Sequence, residues 1–174
     1  MSEKIIAIFG SGSVRIEQPV YKLAYELGAV LAQAGFTIAN GGYGGTMLAA
    51  AKGAAMAGGN VIAVTCSAFG KAKANEYSTR EIVASSLDER LDTLMKLGNG
   101  YVVLPGSTGT LLELAKVWEF KNKGFLEKQK LIILVGDFWK SLIDLIGSED
   151  ASSKRFVQFA ADPDEVKERL LAAI

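Results

Sequence analysis

Residues 101–113 read Tyr-Val-Val-Leu-Pro-Gly-Ser-Thr-Gly-Thr-Leu-Leu-Glu, an apolar run that stops at a Pro-Gly pair and continues in a helical pattern. This order predicts a strand ending at Leu104, a tight turn over residues 106–109 and a helix that begins near Ser107 or Thr108. The first amides of a helix lack partners within it, and small residues in the turn let an anion approach them. The segment therefore predicts a phosphate-binding turn.

Four side chains of this turn and helix carry polar groups. The hydroxyls of Ser107, Thr108 and Thr110 add hydrogen-bond donors, and Glu113 shares a helical face with Thr110. Because a bound phosphate repels a carboxylate, Glu113 is expected to face another part of the ligand. In the alternative interpretation, Ser107 caps the helix and Glu113 is solvated. For a single glycine-rich turn, taken alone, that alternative is the better one.

The composition is that of one ordinary globular domain. The 174 residues are 49% hydrophobic and 22% charged, which predicts a single domain over residues 1–174 with an ample core. The 19 basic and 19 acidic side chains leave no net charge. Nucleic acid is therefore not expected as a partner.

The sequence lacks a cluster of His and Cys ligands and the commonest general base. The chain has no His, and its single Cys66 cannot form an internal disulfide or a ligand cluster. We therefore expect no metal and no cofactor, and a chelator should leave any hydrolysis unchanged. Cys66 is expected to be a small buried core residue. Without His, a general base has to come from Asp, Glu, Lys, Tyr or Cys.

The apolar runs are too short for export or membrane insertion. Residues 5–9 do not reach the length of a signal-peptide core, and Lys52 interrupts the Ala-rich stretch that otherwise imitates a membrane span. We expect a cytoplasmic protein with no membrane partner.

Short apolar runs alternate with helical patterns along the chain. The runs typical of strands are residues 4–9, 36–39, 60–65, 80–84, 101–104, 130–135 and 156–159. The helical patterns cover residues 19–34, 46–57, 88–97, 108–123, 138–146 and 163–173. This alternation predicts an α/β fold, a doubly wound parallel sheet with helices on both faces. The Ala and Gly residues of 46–57 predict close packing of that helix on the sheet.

Three glycine turns follow predicted strands, at residues 10–13, 40–45 and 106–109. Ligands of such sheets bind beyond the carboxyl ends of the strands, so the three turns are expected to converge on one site. A dinucleotide is not the expected ligand, because Arg15 stands where the third glycine of that motif belongs. Asn40 also replaces the acid that holds the adenosine ribose.

Four segments occur together in order: residues 9–13, 40–47, 88–90 and 105–113. They resemble the motifs of the Lonely Guy (LOG) family, whose members are often mislabelled lysine decarboxylases. The similarity covers roughly residues 4–136. It implies a Rossmann-like fold and a cytosolic homodimer that hydrolyses the N-glycosidic bond of nucleoside 5'-monophosphates. Cytokinin riboside monophosphates and AMP are the implied substrates, and free base and ribose 5-phosphate the products.

The resemblance implies catalytic roles for Arg90 and Glu113. Two positions depart from the family pattern, because Leu91 replaces a lysine and Ser107 replaces the second glycine of the turn. The residues that the motifs predict to bind phosphate or nucleotide are Gly10, Ser11, Gly41, Gly42, Gly45, Pro105, Gly106, Ser107, Thr108, Gly109 and Thr110.

The chemistry of this pair is plausible without the family. Cleavage of the bond between C1' and a base builds positive charge on the sugar, and the Glu113 carboxylate is suited either to stabilise that charge or to orient the attacking water. Arg90 offers a forked donor to a phosphate, a ribose hydroxyl or Glu113. A surface salt bridge on an amphipathic helix is the alternative for Arg90. Asn40 and Tyr43 either touch the base or ribose or only shape their turn.

The segment 67–79 and the two tryptophans have structural alternatives as well. Lys71, Lys73 and Arg80 either close over a phosphate as a lid or belong to a solvated loop, which is the expected outcome. Trp118 and Trp139 stand at helical spacing among apolar residues. They are expected in the core or a dimer contact and not as a platform for a base.

Two further functions compete with the hydrolase. Molybdenum cofactor carrier proteins look similar and hold a phosphate without cleaving anything, a reading that Leu91 and Ser107 favour. The DNA-processing protein A family has a related core, but the balanced charge argues against nucleic acid. Arg90 and Glu113 favour hydrolysis.

Overall fold

The computed structural model describes residues 3–70 and 73–174, and its seven strands form one parallel sheet. The strands are β1 (Ile5–Phe9), β2 (Thr37–Asn40), β3 (Val61–Cys66), β4 (Arg80–Ala84), β5 (Gly100–Val103), β6 (Ile132–Val135) and β7 (Val157–Ala160). The helices are α1 (Pro19–Gln33), α2 (Thr46–Met56), α3 (Leu87–Leu97), α4 (Thr108–Asn122), α5 (Lys140–Glu149) and α6 (Pro163–Ala173). Short 3₁₀ turns cover Ser67–Phe69 and Ser153–Phe156.

The strand order is β4-β3-β2-β1-β5-β6-β7, with every neighbouring pair parallel. The order reverses between β1 and β5, where Phe9 lies beside Val103. A crevice opens at such a reversal, because the loops that follow the two strands leave in opposite directions. The predicted doubly wound parallel sheet is confirmed.

Both faces of the sheet are covered, as the alternation in β1 shows. Ile6 and Ile8 pack with α1, α2 and α6, whereas Ile5, Ala7 and Phe9 pack with α3, α4 and α5. Successive side chains of a strand point to opposite faces, so an apolar run without polar interruptions produces two cores. The fully buried positions of β1, β2, β3, β5 and β6 follow from this arrangement.

The two tryptophans and the cysteine are core residues, as predicted. The indole of Trp118 donates to the Ser153 carbonyl at 3.0 Å, and that of Trp139 donates to the Leu104 carbonyl at 3.0 Å. Cys66 is fully buried at the end of β3. None of the helices in residues 3–70 and 73–174 combines the length and hydrophobicity that crossing a bilayer requires.

The alanines of α2 pack on the sheet with Ile6 and Ile38, as the sequence predicted, and α2 also lies close against α1. A Cβ atom at Gly28 would lie 2.1 Å from the Ala50 carbonyl oxygen, and one at Gly53 would lie 2.0 Å from the Tyr25 carbonyl oxygen. The two backbones therefore meet directly, and each helix supplies a glycine at the crossing.

We expect Gly28→Ala to lower the free energy of unfolding by about 1–3 kcal/mol, because the new methyl group meets backbone that cannot rotate away. Urea unfolding measures the change. Gly147→Ala in α5 is the matched control, since the three atoms nearest to a Cβ there belong to the flexible side chain of Lys154 and not to backbone. The control should be neutral or slightly stabilising, as alanine favours a helix. Equal effects of both substitutions would contradict the close α1–α2 contact.

Candidate functional site

A cavity of about 320 Å³ lies at the carboxyl ends of β1 and β5. All three glycine turns contribute to its lining, through Gly10 and Gly12 after β1, Gly44 after β2 and Ser107 and Gly109 after β5. The convergence expected from the sequence is therefore present in the structure. Small residues at these positions leave room for a ligand next to the backbone.

A second cavity of about 480 Å³ lies between α4 and α5. Its lining is mostly apolar, and its charged members are the acids Glu119 and Asp150. An anionic ligand would be repelled there, so the crevice between β1 and β5 is the better phosphate site. Among residues 3–70 and 73–174, no group of three or more His, Cys, Asp or Glu side chains is placed to hold a metal ion.

The turn before α4 has the geometry of an anion site. Leu111 donates its amide to the Ser107 carbonyl at 2.9 Å, so the amides of residues 108–110 precede the first bond of the helix. Ser107 occupies the N-cap position, but its hydroxyl makes no capping bond. The alternative interpretation, in which the Ser107 side chain caps the helix, is therefore wrong. A Cβ at Gly106 would lie 2.1 Å from the Thr110 hydroxyl, so only glycine fits there.

The substitution of serine for glycine at position 107 does not strain the backbone. Ser107 has φ −103° and ψ −159°, an extended conformation that every L-residue adopts. The serine therefore adds its side chain to the lining of the crevice without backbone strain.

Arg90 of α3 is held in place inside the crevice. Its Nε donates to the Val64 carbonyl at 2.8 Å, and its guanidinium carbon lies 5.7 Å from the ring centres of both Tyr43 and Phe69. A Cβ at Gly41 would lie 1.8 Å from an Arg90 nitrogen, so this glycine makes space for the guanidinium. Arg90 is only 7% exposed, which excludes a surface salt bridge.

Glu113 of α4 lies beside this guanidinium. Its Oε1 is 3.7 Å from Nη1 of Arg90, and its side chain is 11% exposed, so it is not a solvated helix residue. Burial raises the pKa of Glu113 to about 7, although the charge of Arg90 acts in the opposite direction. A carboxyl group with a pKa near neutrality is suited to acid–base chemistry.

The second glycine turn uses the Asn40 side chain internally. The side-chain amide donates to the Met47 carbonyl at 3.0 Å and accepts from the Gly42 amide at 2.8 Å. Asn40 is fully buried, so it shapes the turn and does not reach a base. Gly42 and Gly45 have φ of 77° and 60°, values that favour glycine.

The first and second turns are tied together through Ser11. Its carbonyl accepts from the amide of Thr46 at 2.9 Å and from the Thr46 hydroxyl at 3.1 Å. A Cβ at Gly10 would lie 2.4 Å from that hydroxyl, so the contact needs glycine.

The predicted site residues thus fall into two groups. Those that line the crevice are Gly10, Arg90, Ser107, Gly109, Thr110 and Glu113. Those that build the turns without contributing to the lining of the cavity are Ser11, Gly41, Gly42, Gly45, Pro105, Gly106 and Thr108.

Sequence reasoning missed most of the apolar side of the crevice. The apolar side chains that line it are Met47, Phe69, Leu87, Leu91 and Leu112. Only Leu91 had been singled out, as a departure from the family pattern. The others come from four separate segments, and no local pattern distinguishes them from ordinary core or surface residues.

Of the three basic residues considered for a lid, Lys73 and Arg80 do not line the crevice. Arg80 begins β4 beside Ile62, at the amino end of the sheet, whereas the crevice lies at the carboxyl ends. Lys73 is exposed in the following loop, as the solvated alternative predicted. Lys71 lies outside the described residues.

Comparison with known proteins identifies the family of this chain. The sequence model of the SLOG cluster4 family matches residues 3–166. A cytokinin riboside 5'-monophosphate phosphoribohydrolase of Mycobacterium marinum is 31% identical over 120 residues, which are 68% of this chain but only 63% of that protein.

Solved structures are similar over nearly the whole chain. The molybdenum cofactor binding protein of Rippkaea orientalis has a TM-score of 0.81 at 25% identity, with 99% of this chain and 98% of that chain covered. DNA processing protein A of Streptococcus pneumoniae has a TM-score of 0.65 at 16% identity, with 94% and 60% covered, and shares the fold alone. The resemblance to the LOG family is confirmed, and the chain belongs to the SLOG cluster4 family.

Proposed function

We propose that this protein hydrolyses the N-glycosidic bond of a nucleoside 5'-monophosphate, as a phosphoribohydrolase. The observation that carries the proposal is the buried pair of Arg90 and Glu113 beside a glycine turn with free helix amides. A carrier has to bind its ligand, but it does not need a carboxyl group whose pKa lies near 7.

The turn at residues 107–110 and the Arg90–Glu113 pair contact different parts of the proposed ligand. The 5'-phosphate binds at residues 107–110, where helix amides and hydroxyls supply donors. Glu113 lies about one turn further along α4, so repulsion between its carboxylate and the phosphate places it at the sugar. C1' of the ribose then lies within reach of Glu113.

Hydrolysis at this position requires little from the protein. Water adds to C1', the bond from C1' to the base nitrogen breaks, and the base leaves with the electron pair and takes up a proton. The ionised Glu113 stabilises the positive charge on the sugar and accepts a proton from the water. Arg90 keeps part of the Glu113 population ionised near neutral pH.

A carrier of a phosphorylated cofactor is the second candidate. The structural likeness to a molybdenum cofactor binding protein supports it, as does Leu91, which places an apolar side chain where the LOG pattern has a cation. The same turn serves both functions, because each requires a bound phosphate. The two proposals therefore differ in whether Glu113 acts on the ligand.

Three attributes accompany the proposal and stay predictions. We propose that residues 1–174 act as one nucleotide-binding domain, that the protein is cytoplasmic, and that it is a homodimer. Sedimentation equilibrium would test the dimer, and a mass equal to the 18.5 kDa chain would contradict it.

The proposed activity is tested by base release from a panel of nucleoside 5'-monophosphates. We expect free base and ribose 5-phosphate in equal amounts from at least one of them. A chelator should not change the rate, because the carboxyl group of Glu113 carries the chemistry. Loss of activity on chelation would contradict this mechanism. A ligand that raises Tm without any base release would favour the carrier.

A further inference from the structure

The aromatic side chain of Phe69 remains partly exposed to solvent at the crevice. It lies in the 3₁₀ turn Ser67–Phe69 directly after β3, lines the cavity and is 43% exposed. Exposed phenylalanine rings next to a polar site are costly in water, since their apolar surface gains from being covered. A ligand in the crevice would cover this ring.

The buried part of Phe69 is fixed by its neighbours. Its ring centre lies 6.1 Å from that of Tyr43, with 46° between the ring planes, and 5.7 Å from the guanidinium carbon of Arg90. The Tyr43 hydroxyl is bound to the backbone of Cys66, with 2.8 Å to its amide. The ring of Phe69 therefore packs against groups that are themselves held in place by hydrogen bonds.

Arg90 relates this ring to the reacting centre. The same guanidinium lies 3.7 Å from Glu113 on one side and against Phe69 on another. In a nucleotide the ribose connects the phosphate to the base. With its phosphate at residues 107–110 and C1' at Glu113, its base continues towards Arg90 and Phe69.

We propose that Phe69 binds the base of the nucleotide by stacking on its planar ring. The inference rests on the proposed nucleotide site and adds the group that recognises the base. Stacking on an aromatic side chain depends little on which base is bound, because every base has a π-face. Leu87 and Leu112 line the same cavity and add apolar surface to it.

Binding of two ligands separates this role from support of Arg90. Adenosine 5'-monophosphate carries a base, whereas ribose 5-phosphate has the same phosphate and sugar without one. Affinities are measured by calorimetry with the full chain in a Glu113→Gln background, so that the nucleotide is not consumed. Phe69→Leu keeps an apolar side chain over Arg90 and removes the aromatic face, and Phe69→Tyr restores the face.

Phe69→Leu should lower the affinity for adenosine 5'-monophosphate about tenfold, in line with base–aromatic stacking. The affinity for ribose 5-phosphate should change by no more than about twofold. Phe69→Tyr should bind both ligands as the parent does. Equal losses for the two ligands would overturn stacking and show that Phe69 only positions Arg90. Unchanged affinities, or no binding of the nucleotide by the parent, would overturn it as well.

Base release by the chain with Glu113 intact is measured in parallel. Absence of release, together with the expected loss of nucleotide affinity in Phe69→Leu, would contradict the hydrolase and support stacking. Release together with unchanged nucleotide affinity in that variant would support the hydrolase and overturn stacking.

Discussion

Glu113→Gln is expected to reduce the rate of base release by about a hundredfold or more, with the fold intact. Glutamine has nearly the same shape as glutamate, but it can neither ionise nor accept a proton from water. The charge that develops on the ribose then has no protein carboxylate beside it, because Glu113 is the only acid among the described residues that line the crevice and Arg90 is a cation. Steady-state release of free base from the preferred monophosphate measures the effect on kcat.

Glu119→Gln is the matched control for this substitution. Glu119 belongs to the same helix, but its side chain is 57% exposed and pairs with Lys123 on the surface. We expect its removal to leave kcat unchanged. If Glu113→Gln kept most of the activity, or Glu119→Gln lost as much, the assignment of Glu113 to the chemical step would be wrong.

The stability of the wild-type protein should fall, relative to Glu113→Gln, as the pH rises from about 4.5 to about 7. Burial raises the pKa of Glu113 to about 7 in the folded protein, whereas its ordinary value is 4.5. Between these values the unfolded chain has lost the proton and the folded protein keeps it. Raising the pH therefore favours unfolding, and the stability linked to this proton is lost once the pH passes the folded pKa.

The expected change in stability follows from the difference between the folded and the ordinary pKa of Glu113, which is about 2.5. At about 1.4 kcal/mol per unit, the glutamine variant should gain about 3 kcal/mol over the wild type between pH 4.5 and pH 8. Urea unfolding of both proteins at several pH values measures the difference, in which the other titrating groups largely cancel. A difference that does not change with pH would show that the carboxyl group titrates normally.

The same substitution thus removes activity and stabilises the protein at neutral pH. Such a combination is expected where a carboxyl group is buried for its chemistry and not for the fold. It would also set Glu113 apart from Arg90, whose guanidinium binds the Val64 carbonyl and the Tyr43 ring.

Much of the fold followed from local patterns in the sequence. The order of apolar runs and helical patterns predicted every strand and helix, with the largest error of three residues at the end of α5, where Glu149 replaces the expected 146. Patterns of this kind are local, because an element is specified by residues within a few positions of one another. The doubly wound arrangement followed from strict alternation.

The same local patterns located the three glycine turns, including the segment at residues 106–110 that we propose to bind phosphate. They left alternatives open for individual side chains. Asn40 was left between a ligand contact and a turn, and the structure assigns it to the turn. Arg80 was considered for a lid, with a solvated loop as the expected outcome, and its strand places it at the amino end of the sheet, away from the crevice.

By itself, the sequence determined the element order, the fold class and the three turns that meet at the crevice, because these depend on short-range periodicity and on where glycine occurs. Only the tertiary structure decided that Arg90 and Glu113 are buried together, that Phe69 lines their cavity, and that α1 and α2 touch through Gly28. These contacts join residues far apart in the chain. Burial, charge proximity and pKa arise from such long-range contacts, which no local pattern records.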